Sequence, residues 1–193
     1  MMRFKTQLAP IVLLSGLLAT PLLAQSDIGF KGVGGEIGFV SPQDVDTTLG
    51  LGVFADLGMV APRFQLEGFL DYWSQTEAVT GGGEVGLRDL AFGVRGKYIF
   101  PNQNPGLRPF AGFGLGLHML NAEVSIPDID YGGIVIPGDT YSDSTTRFGL
   151  DLGGGLAAAM SDKTDFIGEM WYGIVDDFNQ LSVKAGILYK FGM

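Results

Sequence analysis

The sequence predicts an all-β fold: an eight-stranded antiparallel up-and-down transmembrane β-barrel, preceded by a cleaved signal peptide. Three observations predict it. An apolar leader opens the chain, a two-residue hydrophobic period runs through most of the remaining sequence, and tight turns alternate with longer connections. Period two is the signature of a strand with one wet and one apolar face. No segment sustains helical spacing.

The leader is justified first. Met1 to Lys5 carries Arg3 and Lys5 and no acid, and residues 8–24 are almost wholly apolar, ending on Leu22-Leu23-Ala24 before Gln25. A positive start, a short apolar stretch and a small residue at the cut site read as a secretory signal peptide. Pro10 and Pro21 interrupt the stretch, which is marginal in length for a membrane-spanning helix. The expected organisation is therefore a signal peptide over 1–24 and one barrel domain over 25–193. The chain has no cysteine, which excludes a lipoprotein anchor, disulfides and thiolate metal sites. It carries 12 basic against 21 acidic residues, and losing Arg3 and Lys5 with the leader sharpens the imbalance. Nucleic acid is excluded as a partner, because phosphate binding needs a basic face. Glycine, at 31 of 193 residues, is about twice its usual share and suits closely approaching, curved strands.

Each strand shows the alternation. In Phe64 to Tyr72 the even positions are apolar or glycine, while the odd ones include Gln65, Glu67 and Asp71. In Leu181 to Phe191 the odd positions are wholly apolar and the even ones include Ser182, Lys184 and Lys190. Segments near 30–40, 49–60, 85–100, 108–124, 146–160 and 165–175 read the same way, which makes eight. Ala61-Pro62-Arg63 and Ser161-Asp162-Lys163 are tight turns, and 101–107 is a proline-rich one. At the other end Ser41 to Thr48, Thr76 to Glu84 and Ser125 to Thr145 predict longer loops, whereas Asp176 to Asn179 is short. Short turns at one end and long loops at the other are the habit of transmembrane barrels.

The aromatic residues sort by height. Phe30, Phe64, Tyr98, Phe100, Phe110, Phe166, Tyr189 and Phe191 fall at the lower strand ends, and Phe39, Tyr72, Trp73, Trp171 and Tyr172 at the upper ends. Two such girdles are expected where a barrel wall leaves the hydrocarbon. No element is left over to cover the apolar faces in a soluble sandwich.

Val33 to Phe39, Phe64 to Phe69, Leu107 to Gly116 and the final strand together resemble the small outer-membrane barrel families of the OmpA, OmpX, OmpW and opacity type. The resemblance covers residues 27–193. It implies a cell outer membrane of Gram-negative type, contact with outer-membrane lipid and lipopolysaccharide, and recognition of the C-terminal strand by the barrel-assembly machinery. These families usually end on an aromatic residue, whereas Phe191 is followed here by Gly192-Met193. The likeness specifies the fold and says little of activity.

An eight-stranded lumen is filled by side chains or holds one small ligand. Strand parity sends Glu36, Asp56, Glu67, Asp71, Arg95, Lys97, His118, Arg147, Asp151, Glu169, Lys184 and Lys190 inward. Charges away from bulk water should pair: Glu67 and Asp71 with Arg95 and Lys97, Glu169 with Lys184, and Lys184 with Glu36 on closure. A salt-bridged plug and a narrow polar path both fit. Eight-stranded geometry favours the plug, and glycine-rich walls favour the path, which excess inward acids would make cation-preferring.

Catalysis finds little support. His118 is the only histidine, and a nucleophile device needs a hydroxyl within its reach. Lipid-deacylating barrels carry His-x-Ser, whereas this chain has His118-Met119-Leu120. Ser74 or Thr146 on another strand could supply a hydroxyl, but nothing in the pattern points to either. No cofactor is called for. The 125–145 loop holds Asp128, Asp130, Asp139, Asp143, Tyr131 and Tyr141, an acidic surface for a ligand or for divalent cations bridging lipopolysaccharide phosphates, but its spacing matches no recognised calcium loop. The expected function is a non-enzymatic structural and surface-interaction scaffold. The alternative is a narrow channel for ions or small solutes, and a lipid-modifying enzyme comes third.

Overall fold

The structure is a computed structural model and describes residues 27–79, 82–176 and 178–192; the expected signal peptide and Met193 lie outside them. Chain order gives β1 (Asp27–Pro42), β2 (Thr48–Ala61), β3 (Phe64–Val79), β4 (Gly83–Ile99), β5 (Leu107–Ile126), β6 (Ile129–Tyr131), β7 (Ile134–Ile136), β8 (Asp139–Ser161), β9 (Thr164–Val175) and β10 (Phe178–Lys190). Eight of these close a barrel in the order β1-β10-β9-β8-β5-β4-β3-β2, and β6 pairs only with β7. Every neighbouring pair in the barrel is antiparallel. Closure leaves no edge within the membrane, where an unpaired backbone amide would be costly.

Two of the expected loops are largely strand. β3 and β4 pair from Phe64↔Tyr98 to Val79↔Gly83, absorbing most of Thr76 to Glu84. β5 and β8 pair as far as Ile126↔Asp139, and the intervening segment folds into the β6–β7 hairpin. Hydroxyls and acids give these stretches the look of loop, but Thr76, Val79, Val85, Thr140, Tyr141, Thr145 and Thr146 are strand formers.

The wall is therefore uneven. β8 has 23 residues and β5 has 20, while β9 has 12 and β10 has 13. Crossing a membrane takes about 9–11 residues. β9 and β10 little exceed a crossing, whereas β3, β4, β5 and β8 continue above it as a four-stranded sheet. Register fixes which residues stand side by side on its outward face. Leu70, Phe92, Leu117 and Phe148 form one row, and Tyr72, Leu90, Met119 and Thr146 the next. Above them come Ser74, Arg88, Asn121 and Ser144, then Thr76, Gly86, Glu123 and Ser142. The change from apolar to polar between the second and third rows marks the outer membrane boundary.

The lower boundary carries Phe30 packed on Phe191 (ring centroids 5.1 Å apart) and Tyr98 edge-on to Phe100 (5.2 Å), with Phe64, Phe166 and Tyr189 also facing out. Tyr72 and Tyr172 hold the upper girdle. Trp73 and Trp171, expected beside them, instead point inward, each with 2% of its surface exposed. Phe110 is likewise inward and buried. Parity is the reason: Trp73 lies two residues after Asp71 and Trp171 two after Glu169, so each shares the face of a lumenal acid.

Candidate functional site

The lumen is the most heavily built part of the molecule. Lys184 Nζ from β10 donates to Glu36 Oε1 of β1 (2.5 Å) and to Asp71 Oδ1 of β3 (2.6 Å). Asp71 Oδ2 accepts from Arg95 of β4 at 2.9 Å, and Arg95 also reaches Asp151 of β8 (3.3 Å) and Glu169 of β9 (3.7 Å). Glu169 Oε2 then accepts from Lys97 Nζ (2.8 Å), which donates in turn to Glu67 (2.6 Å). One continuous chain of ion pairs therefore crosses the barrel and ties six of its strands together. Glu36, Glu67, Arg95, Lys97, Asp151, Glu169 and Lys184 are all buried.

Register places Lys184 opposite Glu169, as the sequence suggests, yet the two do not pair. Glu169 lies between Arg95 and Lys97, and Lys184 turns toward Glu36 and Asp71. Charges reach across the narrow lumen as readily as along the sheet, which parity alone does not reveal.

Aromatic rings fill the space between the ions. The Arg95 guanidinium sits 3.8 Å from the Phe69 ring centroid and 4.7 Å from that of Trp171, and Lys97 Nζ lies 4.7 Å from Phe110. Trp171 Nε1 donates to Glu169 Oε1 at 2.6 Å, and Trp73 Nε1 to Gln180 Oε1 at 2.9 Å. Phe54, Phe69, Phe110, Ala157, Ile167, Trp171 and Leu188 join one buried apolar cluster. The glycine-rich wall, which from sequence favours an open path, has the opposite effect. A Cβ at Gly114 would lie 2.8 Å from Arg95 Cγ, one at Gly52 would lie 2.5 Å from Asp71 Oδ1, and one at Gly153 would lie 2.6 Å from Trp171 Cε3. Glycine on the inner wall gives up volume that a large side chain opposite then occupies. Cavities of about 20 Å³ lie above the ions beside His118 and Gln180 and below them beside Gln65 and Ile99. Each is close to the volume of a single water site.

Other predicted lumen residues sit outside this chain. Asp56 lies where β2 breaks register, and its carboxylate accepts from Gly58 N at 2.8 Å, so it serves the bulge rather than the lumenal ions. Gly58 has φ +84°, and a Cβ there would collide with the Asp27 carbonyl oxygen, so the bulge requires glycine. Arg147 is at the upper mouth, half exposed, and pairs with Asp176 at 3.2 Å. Lys190 is at the lower mouth, where it donates to Asp165 Oδ1 (2.9 Å), which Arg108 also engages. Asp165 and Arg108 escape the sequence reading, although each lies on the inward parity of its strand.

His118 is buried with its Nδ1 2.7 Å from Asp89 Oδ2, another inward acid absent from the sequence-predicted set. Its Nε2 faces Gly149, where a Cβ would lie 2.6 Å away. The position a nucleophile would take is thus occupied by a residue without a side chain. Ser74 and Thr146, the two hydroxyls weighed from sequence, stand in the outward rows. Among the described residues no group of three or more His, Cys, Asp or Glu side chains is placed to hold a metal ion.

The profile of the outer membrane protein beta-barrel domain matches residues 11–191. No curated protein sequence matches significantly. Among solved structures the chain is similar to Neisserial surface protein A, at 16% identity and TM-score 0.60 over 83% of this chain and 96% of that one. A major outer membrane protein from Thermus thermophilus gives 12% identity and TM-score 0.61 over 84% and 98%. The attachment invasion locus protein Ail of Yersinia pestis gives 13% and 0.51 over 84% and 99%. At these identities the likeness is one of fold.

Proposed function

From the premise that this chain belongs to the outer membrane protein beta-barrel domain family and resides in the outer membrane, we propose that it is a non-enzymatic scaffold whose barrel is closed and whose outward sheet and hairpin meet the cell's surroundings. The observation that carries this reading is the ion-pair chain from Glu36 to Glu67, which crosses the lumen between two cavities of about 20 Å³ each. A conducting path would have to separate Arg95 or Lys97 from two or more carboxylates at once, and breaking a buried pair costs about 3–5 kcal/mol. The exposed features lie elsewhere, on the sheet of β3, β4, β5 and β8 and on the β6–β7 hairpin, where Val135 and Ile136 are exposed. Surface loops on a rigid frame are where binding function concentrates.

We extend the proposal to membrane partners, which the same placement supports. The apolar rows contact outer-membrane lipid, the rows above them stand level with lipopolysaccharide, and β10 is the strand the barrel-assembly machinery would receive. The test is solute entry into vesicles. Proteoliposomes holding the folded barrel should not swell in isotonic salt or small sugars, whereas swelling that scales with protein content would replace the scaffold by a channel.

A further inference from the structure

The outward face of the projecting sheet has a depression where one row lacks a side chain. In the row Thr76, Gly86, Glu123 and Ser142, Gly86 supplies no side chain, and a notch of about 240 Å³ opens there. Tyr72, Ser74, Thr76, Glu84, Arg88 and Glu123 surround it. Its polar groups are linked. Arg88 Nε donates to Asn121 Oδ1 and Arg88 Nη2 to Glu123 Oε2, both at 2.8 Å, and Asn121 Nδ2 donates to Ser144 Oγ at 2.6 Å. A guanidinium has more N–H donors than these two bonds use, and a carboxylate has spare lone pairs.

Arg88 and Tyr72 also border a second depression, of about 470 Å³, which runs down the wall over Leu90 and Met119. The two hollows thus share Arg88 and Tyr72 as bordering residues at the membrane boundary, polar above and part apolar below.

We propose that this notch binds a neutral saccharide, with Arg88 and Glu123 gripping neighbouring hydroxyls and the Tyr72 ring forming its lower ledge. Sugar hydroxyls donate and accept together, and here a planar donor, a planar acceptor, an amide and several hydroxyls stand side by side. Anions fit poorly. Arg88 is already tied to Glu123, and Glu84 stands beside it, so a phosphate or sulfate would meet two carboxylates for one cation. The inference rests on the projecting sheet being an interaction surface, and it holds whether or not the lumen conducts. The sugar could belong to an outer-leaflet glycolipid, its acyl chain lying over Leu90 and Met119, or to a soluble glycan.

Calorimetry on the barrel refolded in sugar-free zwitterionic micelles separates these sources. The probes are a rough-type lipopolysaccharide, the oligosaccharide left after its deacylation, and the same oligosaccharide freed of phosphate. Saturable binding of the phosphate-free oligosaccharide is expected. Tighter binding of the intact glycolipid would assign the membrane source, and equal binding a soluble one. Gly86→Leu should lower affinity at least about tenfold, since a side chain begins there with contacts no nearer than 3.6 Å and grows into the notch. Arg88→Gln should lower it comparably, and heat-modifiable migration should show both variants folded. No binding of any probe, binding that disappears with the phosphate, or affinity unchanged in folded Gly86→Leu would each overturn the proposal. Those failures would leave the closed-barrel scaffold standing.

Discussion

The lumen and the projecting sheet are made of the same strands in one continuous register, yet they treat charge in opposite ways. Inside, Lys97 lies between Glu67 and Glu169 with 4% or less of each side chain exposed. On the sheet, Arg88 and Glu123 pair at a similar distance with 49% and 41% exposed. Alternation places both sets, but closure of the wall decides what each is worth. A charge sealed among Phe69, Phe110 and Trp171 has no water to return to, so its partners become obligatory. A charge on the sheet keeps its water, and its pair is a convenience of geometry. Glycine follows the same division: Gly153 on the inner wall is closed over by Trp171, while Gly168 on the outer wall has nothing nearer than 3.9 Å.

Breaking the lumenal side of this comparison should produce the largest effect. Lys97→Ala strands the buried Glu67 carboxylate and takes one of two cations from Glu169, and should cost about 3–5 kcal/mol, read as a lower denaturant midpoint for loss of heat-modifiable migration. A barrel of unchanged midpoint would mean the lumen is wet. Glu67→Ala should cost less than Lys97→Ala, because Lys97 keeps Glu169.

The lipid face comes next. Ile187 points outward on β10, and Ile187→Arg should cost roughly 2–4 kcal/mol and impair insertion into vesicles. Normal insertion would contradict the strand parity on which both regions depend.

The glycines sharpen the comparison further. Gly153→Ala drives a methyl against the Met170 carbonyl oxygen and the Trp171 ring, and should cost about 1–3 kcal/mol. Gly168→Ala should stay within about 0.5 kcal/mol. Equal effects at the two sites would undo the claim that inner glycines are filled from across the lumen. Arg88→Ala should also be mild, under about 1 kcal/mol, since exposed pairs contribute little.

Much of the fold is legible because a barrel wall writes its two faces into alternate residues. Eight segments, their tight turns and the inward set around Glu36, Glu67, Arg95 and Lys184 can all be read from period two. Parity does not show distance across the lumen, so it matches Lys184 with its ladder neighbours Glu169 and Glu36 and misses Asp71, which Lys184 reaches across the barrel. Height is harder still. Trp73 and Trp171 have the aromatic character of girdle residues, and only their phase relative to Asp71 and Glu169 reveals that they point inward. Asp89 and Asp165 have the right phase too. Arg88 beside the first blurs the alternation there, and the second opens its segment, where alternation has barely begun. The upper ends of β3, β4, β5 and β8 (76–79, 83–84, 125–126 and 139–145) read as loop, since hydroxyls and acids dominate there and nothing in composition separates a solvated sheet from a solvated coil. The Gly86 notch becomes visible only once register sets Thr76, Gly86 and Glu123 in one row.

Single-channel recording of the mature barrel in a planar bilayer tests the central claim most directly. With folding confirmed by heat-modifiable migration, the account predicts a silent bilayer for the native chain. Steady cation-selective openings that lysine substitution at Glu67 or Asp71 reverses would contradict it, because they would show that the ion-pair chain lines a path rather than closing one.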